Sequence, residues 1–357
     1  MTLRITIDDI GSFPLPENVD KEKLEEIGLK LSLCEKVEER ERGVFENVIE
    51  KIMDYKLKAG VDIPTYPQCR DMISSFMEVI DRSYLKFKPW VVRKRNSLLP
   101  ELKLLRNYAY KFHLEHGHKL PLRLCITGPL ELHLATVGPL IDESLLLNLG
   151  ESVGRFLEAG IKASHHWEVK VISLDEPSLG LQPNLIAEEE TLIKAWRKAV
   201  KIVRKRGIDV QIHLHSPVFT PTIYQVKGIS IIGIECAEEP RNIYGIDRKE
   251  LEAWDKFLRI GISRTNIFSL AMEYKKKVGV DVWKEKEKFV EMINVLESPS
   301  LIYKRLKKAY KLFGERIYYV GPDCGLSAWP TQKVAFQLLK NTVEGVKKFK
   351  EELGKGK

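Results

Sequence analysis

Four residues able to ligate a metal follow one another along the chain: His213, His215, Glu235 and Cys324. The two histidines are two positions apart. Side chains on a strand alternate, so residues i and i+2 face the same side. Two imidazoles, a carboxylate and a thiolate make a tetrahedral set for Zn2+, and the thiolate favours zinc over harder metals. On spacing alone the plainer reading is stronger: one buried, hydrogen-bonded histidine beside an exposed one, and a cysteine in a structural loop. What adds weight is that all four sit at the ends of predicted strands. Cys236, next to Glu235, points to the opposite side and reads as a packed core thiol.

Those strands are short β-branched runs separated by helical stretches. They are expected at Ile5–Ile10, Val61–Thr65, Leu122–Thr127, Val169–Leu174, Asp209–His213, Ile229–Ile234, Asn266–Leu270 and Ile317–Val320. Between them lie amphipathic or charged segments such as 46-ENVIEKIMDYKLKAG-60, and Gly60 and Gly207 close helices as C′ glycines. Strands alternating with helices imply parallel pairing, and eight of them predict an α/β fold of the (β/α)8 TIM-barrel class. A doubly wound open sheet is the alternative. It needs a Gly-rich phosphate loop after the first strand, and 9-DIGSFPLP-16 is not one. Met72–Pro121 is too long for one barrel helix and is read as a helical insertion in the connection between strands two and three. The whole chain, 1–357, is expected to form one domain.

In this fold the C-terminal ends of the strands build the active site. Polar residues gather there: Gly11–Ser12, Tyr66–Pro67, Thr127–Gly128–Pro129, Asp175–Glu176–Pro177, then the four candidate ligands. Backbone donors at Gly11–Ser12 suit a carboxylate, and Asp175 suits an ammonium or caps the following turn. Asp175 and Glu176 are the candidate catalytic residues, with Glu176 read as orienting a ligand or as structural.

Composition narrows the function class. The 357 residues are 44% hydrophobic and 30% charged, with 58 Lys and Arg against 50 Asp and Glu. The net charge of +8 is spread through mixed-charge helices, and no nucleic-acid signature accompanies it. Five cysteines, an odd number without a framework, argue for reduced thiols. Without a signal core or an apolar run of membrane-spanning length, a cytoplasmic protein is expected, with no membrane or nucleic-acid partner.

The strings 10-IGSFP-14, 126-ITGP-129, 174-LDEP-177, 234-IE-235 and 322-PDCGL-326 occur in this order. Together they resemble the catalytic half of the cobalamin-independent methionine synthases, in the single-barrel core form found in archaea and some bacteria. The resemblance spans Ile10 to Leu326, and its DEP and PDCGL pieces are the most specific. It implies a zinc methyltransferase acting on the thiol of homocysteine, with metal ligands at His213, Glu235 and Cys324. Ser12 and Asp175 would then hold the amino acid. The family's H-x-C pair departs here to H-x-H, so His215 replaces a thiolate and the site is less negative by one charge. That makes zinc a stronger Lewis acid and a thiolate on it a weaker nucleophile. Tyr66 stands where the family has a glutamate for the substrate's ammonium. After the expected seventh strand the family has a histidine, whereas this chain has Met272 and Glu273, and Glu273 is the candidate replacement.

The methyl donor is left open between a methylated pterin and a methyl-corrinoid, free or on a protein. Trp329 is a candidate stacking surface for a flat donor or a packed core residue. Competing readings are a related barrel methyltransferase with another thiol acceptor and a non-catalytic metal-binding subunit. A decarboxylase of the uroporphyrinogen type fits less well, because Arg4 precedes the first strand's end and such chemistry needs no metal set.

Overall fold

The structure is a computed structural model, and it describes residues 5–182, 185, 187–203 and 207–355. Arg4 lies outside them. Seven parallel strands form one curled sheet: β1 (Thr6–Ile7), β4 (Leu120–Thr127), β5 (Trp167–Asp175), β6 (Asp209–Leu214), β7 (Ile231–Ile234), β8 (Phe257–Ser263) and β9 (Ile317–Pro322). Their order is β1-β9-β8-β7-β6-β5-β4, so from β4 onward each strand pairs with the next in sequence. Two further strands, β2 (Tyr84–Leu85) and β3 (Lys88–Val92), make a separate antiparallel hairpin.

The expected second strand is not a regular one. Its residues nevertheless pair on both sides. Ile63 N donates to Ile7 O at 3.1 Å and Tyr66 N to Arg123 O at 3.2 Å, while Pro64 O accepts from Arg123 N at 3.0 Å. Parallel bridges join Asp8 to Ile63 and Thr65 to Arg123. Pro64 has no N–H to give, which interrupts the ladder.

The expected seventh strand is a correction. Asn266–Leu270 opens a helix, Ile267–Val278, and Asn266 caps it by accepting from Ser269 N at 3.0 Å. The true strand is β8, the run FLRIGIS just upstream. A short apolar run does not by itself distinguish strand from buried helix, and the Asn cap was the missed signal.

Inward side chains of the sheet stack in layers. Ile63, Val171, Ile231 and Tyr319 form a small apolar cluster of their own. Next to it come Asp8, Arg123, Gln211 and Arg259, all fully buried. Asp8 pairs with both guanidiniums, through Arg123 Nη1 and through Arg259 Nε at 3.0 Å, and Arg123 Nη1 also reaches Gln211 Oε1 at 3.0 Å. Gly233 and Gly321 stand where these long side chains rise. A Cβ would fall 2.2 Å from Gln211 Nε2 at the first and 2.7 Å from Arg259 Nη2 at the second.

Residues 72–121 hold a helix (Ser74–Ser83), the β2–β3 hairpin and a second helix (Pro100–His116). The second helix is tied to Glu39–Ala59 by Asn107–Glu46, Tyr108–Asp54 and Lys111–Glu50 hydrogen bonds. Among the described residues no helix is long and apolar enough to cross a membrane.

Candidate metal centre

β6 and β7 pair so that Leu214 lies beside Ile234, which places His215 and Glu235 at neighbouring strand ends. Asn242 clasps the two ends together. Its Nδ2 donates to His215 O at 2.8 Å and to Glu235 O at 2.9 Å. Cys324 arrives from the end of β9, just after Asp323. The buried Asp323 carboxylate accepts from the backbone N–H groups of Cys236, Ala237 and Glu238 at 2.6–3.1 Å. The loop that carries Glu235 is thus bolted to the loop that carries Cys324. β8 lies between them and makes room for this with Gly261, whose Cβ would fall 1.9 Å from Asp323 Oδ1.

The outcome is one cluster. Ligating atoms of His213, His215, Glu235 and Cys324 all lie within 4.8 Å of one another. His215 Nε2 is 3.1 Å from Glu235 Oε1 and 3.7 Å from Cys324 Sγ. The edges of a zinc tetrahedron with bonds of about 2.0–2.3 Å are roughly 3.3–3.8 Å. His213 decides the fit. It is buried, and neither ring nitrogen has a hydrogen-bond partner among the described residues. An orphaned buried imidazole costs about 1–3 kcal/mol, which a cation on one nitrogen removes.

The electrostatics agree. Burial holds His213 well below its ordinary pKa, and brings His215 down to about 4, so both are neutral donors. Burial, reinforced by Asp323, pushes Glu235 up to about 8. Burial also raises the Cys324 thiol, reinforced by Glu235. A cation among them would favour the ionised form of both.

The cluster opens into a pocket of about 220 Å³ that is also lined by Gly11, Ser12, Tyr66 and Asp175. Asp175 is buried, accepts from Ser173 Oγ at 2.6 Å, and burial raises it to about 6. Tyr66 presents its ring but has no hydroxyl to spare. Its Oη donates to Cys125 O at 2.9 Å and accepts from Gln68 Nε2 at 3.0 Å.

Other expected residues lie elsewhere. Glu176 is fully buried and caps the helix Pro129–Val137, accepting from Leu130 N, Glu131 N and Trp196 Nε1 at 2.7–3.1 Å. A Cβ at Gly128 would collide with it at 2.1 Å. Glu273 is not brought to the pocket. It sits on the helix Ile267–Val278, half exposed, paired with Arg264 at 2.6 Å. Trp329 is a core residue that donates to Thr265 O at 2.8 Å. Cys236 is buried in the core. Reasoning from the sequence missed Asp323 and Asn242 as supports, and Gln68, Arg70 and Glu101 as pocket walls, because their partners are distant along the chain.

No protein-family model matches the chain. Individual proteins do. A protein from Sulfurisphaera tokodaii named methionine synthase is 23% identical over 362 residues, 96% of this chain and 92% of its own. Another of that name, from Saccharolobus solfataricus, is also 23% identical, over 96% of this chain and 94% of its own. Along nearly the whole of both lengths, the chain is similar to archaeal proteins named methionine synthase. In fold it is similar to a B12-independent methionine synthase from Shewanella, solved with selenomethionine. The TM-score is 0.61 at 14% identity, with 99% of both chains covered. The likeness read from IGSFP, LDEP and PDCGL therefore extends beyond those strings to the helices between them.

Proposed function

We propose that this protein is a zinc-dependent methyltransferase that moves a methyl group to the thiol of homocysteine, giving methionine. The observation that carries the reading is His213, an imidazole buried without a partner inside a compact cluster with a second histidine, a glutamate and a cysteine, on the floor of a pocket. The homologues named methionine synthase and the Shewanella protein's complex with selenomethionine supply the substrate class. We also read the sheet as a closed barrel, with residues 62–66 joining its two edges, and the chain as one catalytic domain.

A bound zinc supplies the positive charge that keeps the acceptor sulfur deprotonated at neutral pH, where a free thiol with pKa near 8.5 is mostly protonated. His213, His215, Glu235 and Cys324 would hold it. Asp175 offers a carboxylate to the substrate's ammonium, and Gly11 and Ser12 offer polar groups to its carboxylate. The sulfur's proton leaves to solvent as the thiol binds, the pocket walls then exclude bulk water, and the methyl passes from the donor to the sulfur as the donor's bond to it breaks and the demethylated donor departs. Glu176 acts at one remove, by fixing the turn that follows Asp175. A methylated pterin and a methyl-corrinoid both remain compatible donors. The five cysteines, all free, fit a reducing, cytoplasmic setting.

A second reading has a specific observation behind it: Tyr66 gives the substrate's ammonium no carboxylate and its hydroxyl is already committed. Loss of one charged hydrogen bond costs about 1.5–3 kcal/mol, which favours a different thiol acceptor. Calorimetric titration of L-homocysteine into zinc-loaded and metal-free protein tests the choice. Zinc-dependent binding with proton release is expected. Tightly held zinc without homocysteine binding would move the reading to another thiol.

A further inference from the structure

The pocket that holds the metal ligands is also walled by a buried ion pair, Arg70 with Glu101. The pairing is bidentate, Nε to Oε1 at 2.7 Å and Nη2 to Oε2 at 3.2 Å, with the two side chains 3% and 4% exposed. Arg70 is the single Lys or Arg among the described residues lining this pocket. Its third nitrogen, Nη1, makes no hydrogen bond to the described residues. A guanidinium locked by two of its nitrogens keeps the third in a fixed plane, preorganised for a second oxyanion.

The helix Lys21–Leu33 is shaped to let this arginine through. Gly28 is buried in the middle of that helix, where glycine is unfavourable by about 1 kcal/mol relative to alanine. A Cβ there would lie 2.5 Å from Arg70 Cδ and 2.6 Å from Nε. Three separated pieces of chain, at Gly28, Arg70 and Glu101, thus converge to hold one cation at the pocket wall. Other polar lining residues, among them Ser12, Tyr66, Gln68, Thr127 and Asp175, are neutral or acidic.

We propose that Arg70 binds the carboxylate of the acceptor, so that this site selects thiols that are carboxylic acids. This rests on the methyltransferase reading and deepens it: the sulfur goes to the metal ligands, the ammonium to Asp175, and the carboxylate to Arg70. Ser12 then adds a neutral contact.

The test uses zinc-loaded protein and three ligands without a thiol: L-methionine, 4-(methylthio)butyrate and 3-(methylthio)propylamine. Dissociation constants are read by ligand-observed NMR. The two carboxylates are expected to bind at least about tenfold tighter than the amine. In the double variant R70M/E101M, which removes both buried charges together, that preference disappears. In G28A, which displaces Arg70 without removing its charge, both carboxylates weaken several-fold while the amine is unchanged. A wild-type protein with no carboxylate preference overturns the proposal. So does a folded double variant that keeps it. If the double variant does not fold, G28A decides alone, and unchanged carboxylate binding overturns the proposal. Proton release on adding homocysteine is a separate readout. Carboxylate preference without it would leave Arg70's role standing and remove the methyltransferase reading, and the converse result would do the reverse.

Discussion

At the scale of single residues, the metal cluster makes its own pH behaviour. Near neutral pH, without metal, Glu235 titrates at about 8 and Cys324 above the ordinary thiol range, both because of burial. Zinc must therefore displace about two protons as it loads. Calorimetry in buffers of different ionisation enthalpy should find this release, with affinity rising as pH rises; loading without proton release would remove Glu235 or Cys324 from the ligand set. The same carboxyl affects stability. Glu235 is raised above its unfolded value of 4.5, so the metal-free fold binds a proton that the unfolded chain has lost. The folded state's advantage from holding that proton is full below about pH 4.5, declines as pH rises from there through about 8, and is gone above it. Metal-free wild type should melt lower at pH 8.5 than at pH 7, and E235Q should show a smaller drop. His213→Ala should abolish stoichiometric zinc, measured by metal analysis after dialysis against chelator.

At the scale of elements, the site depends on how neighbouring strand ends are tied together. Asp323 gives its two oxygens to three backbone donors of residues 236–238. Asp323→Ala should leave those buried donors unpaired and destabilise the fold by about 1–3 kcal/mol. Because the loop it holds carries Glu235, zinc affinity should also fall by about 10–100-fold, as is usual when a ligand's support is lost. Gly261→Ala approaches the same carboxylate from β8 and should cost about 1–3 kcal/mol by overpacking. Urea unfolding and competition with a chelator separate the two effects. Unchanged zinc affinity in Asp323→Ala would mean that Asn242 alone holds the strand ends.

At the scale of the whole molecule, the interior carries a charged layer between an apolar plug and the site. Asp8 is the shared counter-ion of Arg123 and Arg259, and none of the three is exposed. Removing one partner from a buried ion network typically costs about 3–5 kcal/mol. Asp8→Asn should lower stability by about that amount in denaturant unfolding. A loss below about 1 kcal/mol would show that another group neutralises the arginines.

The sequence alone determined the alternation of strand and helix, the two histidines at the end of β6, and the order in which Glu235 and Cys324 follow. These are local facts: side-chain period, turn chemistry and short motifs are written in consecutive residues. The misplaced seventh strand failed for a local reason too, since β8 and the first turn of the next helix are both short apolar runs, and only pairing with β7 and β9 separates them. What tertiary structure decided is which side chains meet. Glu273 left the site because its helix turns it toward Arg264, and Glu176 became a helix cap because Gly128 lets it approach. Arg70 and Glu101 are 31 residues apart, with a hairpin between them, and no spacing rule links them. Bringing such residues within hydrogen-bond reach is the work of the folded chain, through long-range packing that a linear pattern does not encode.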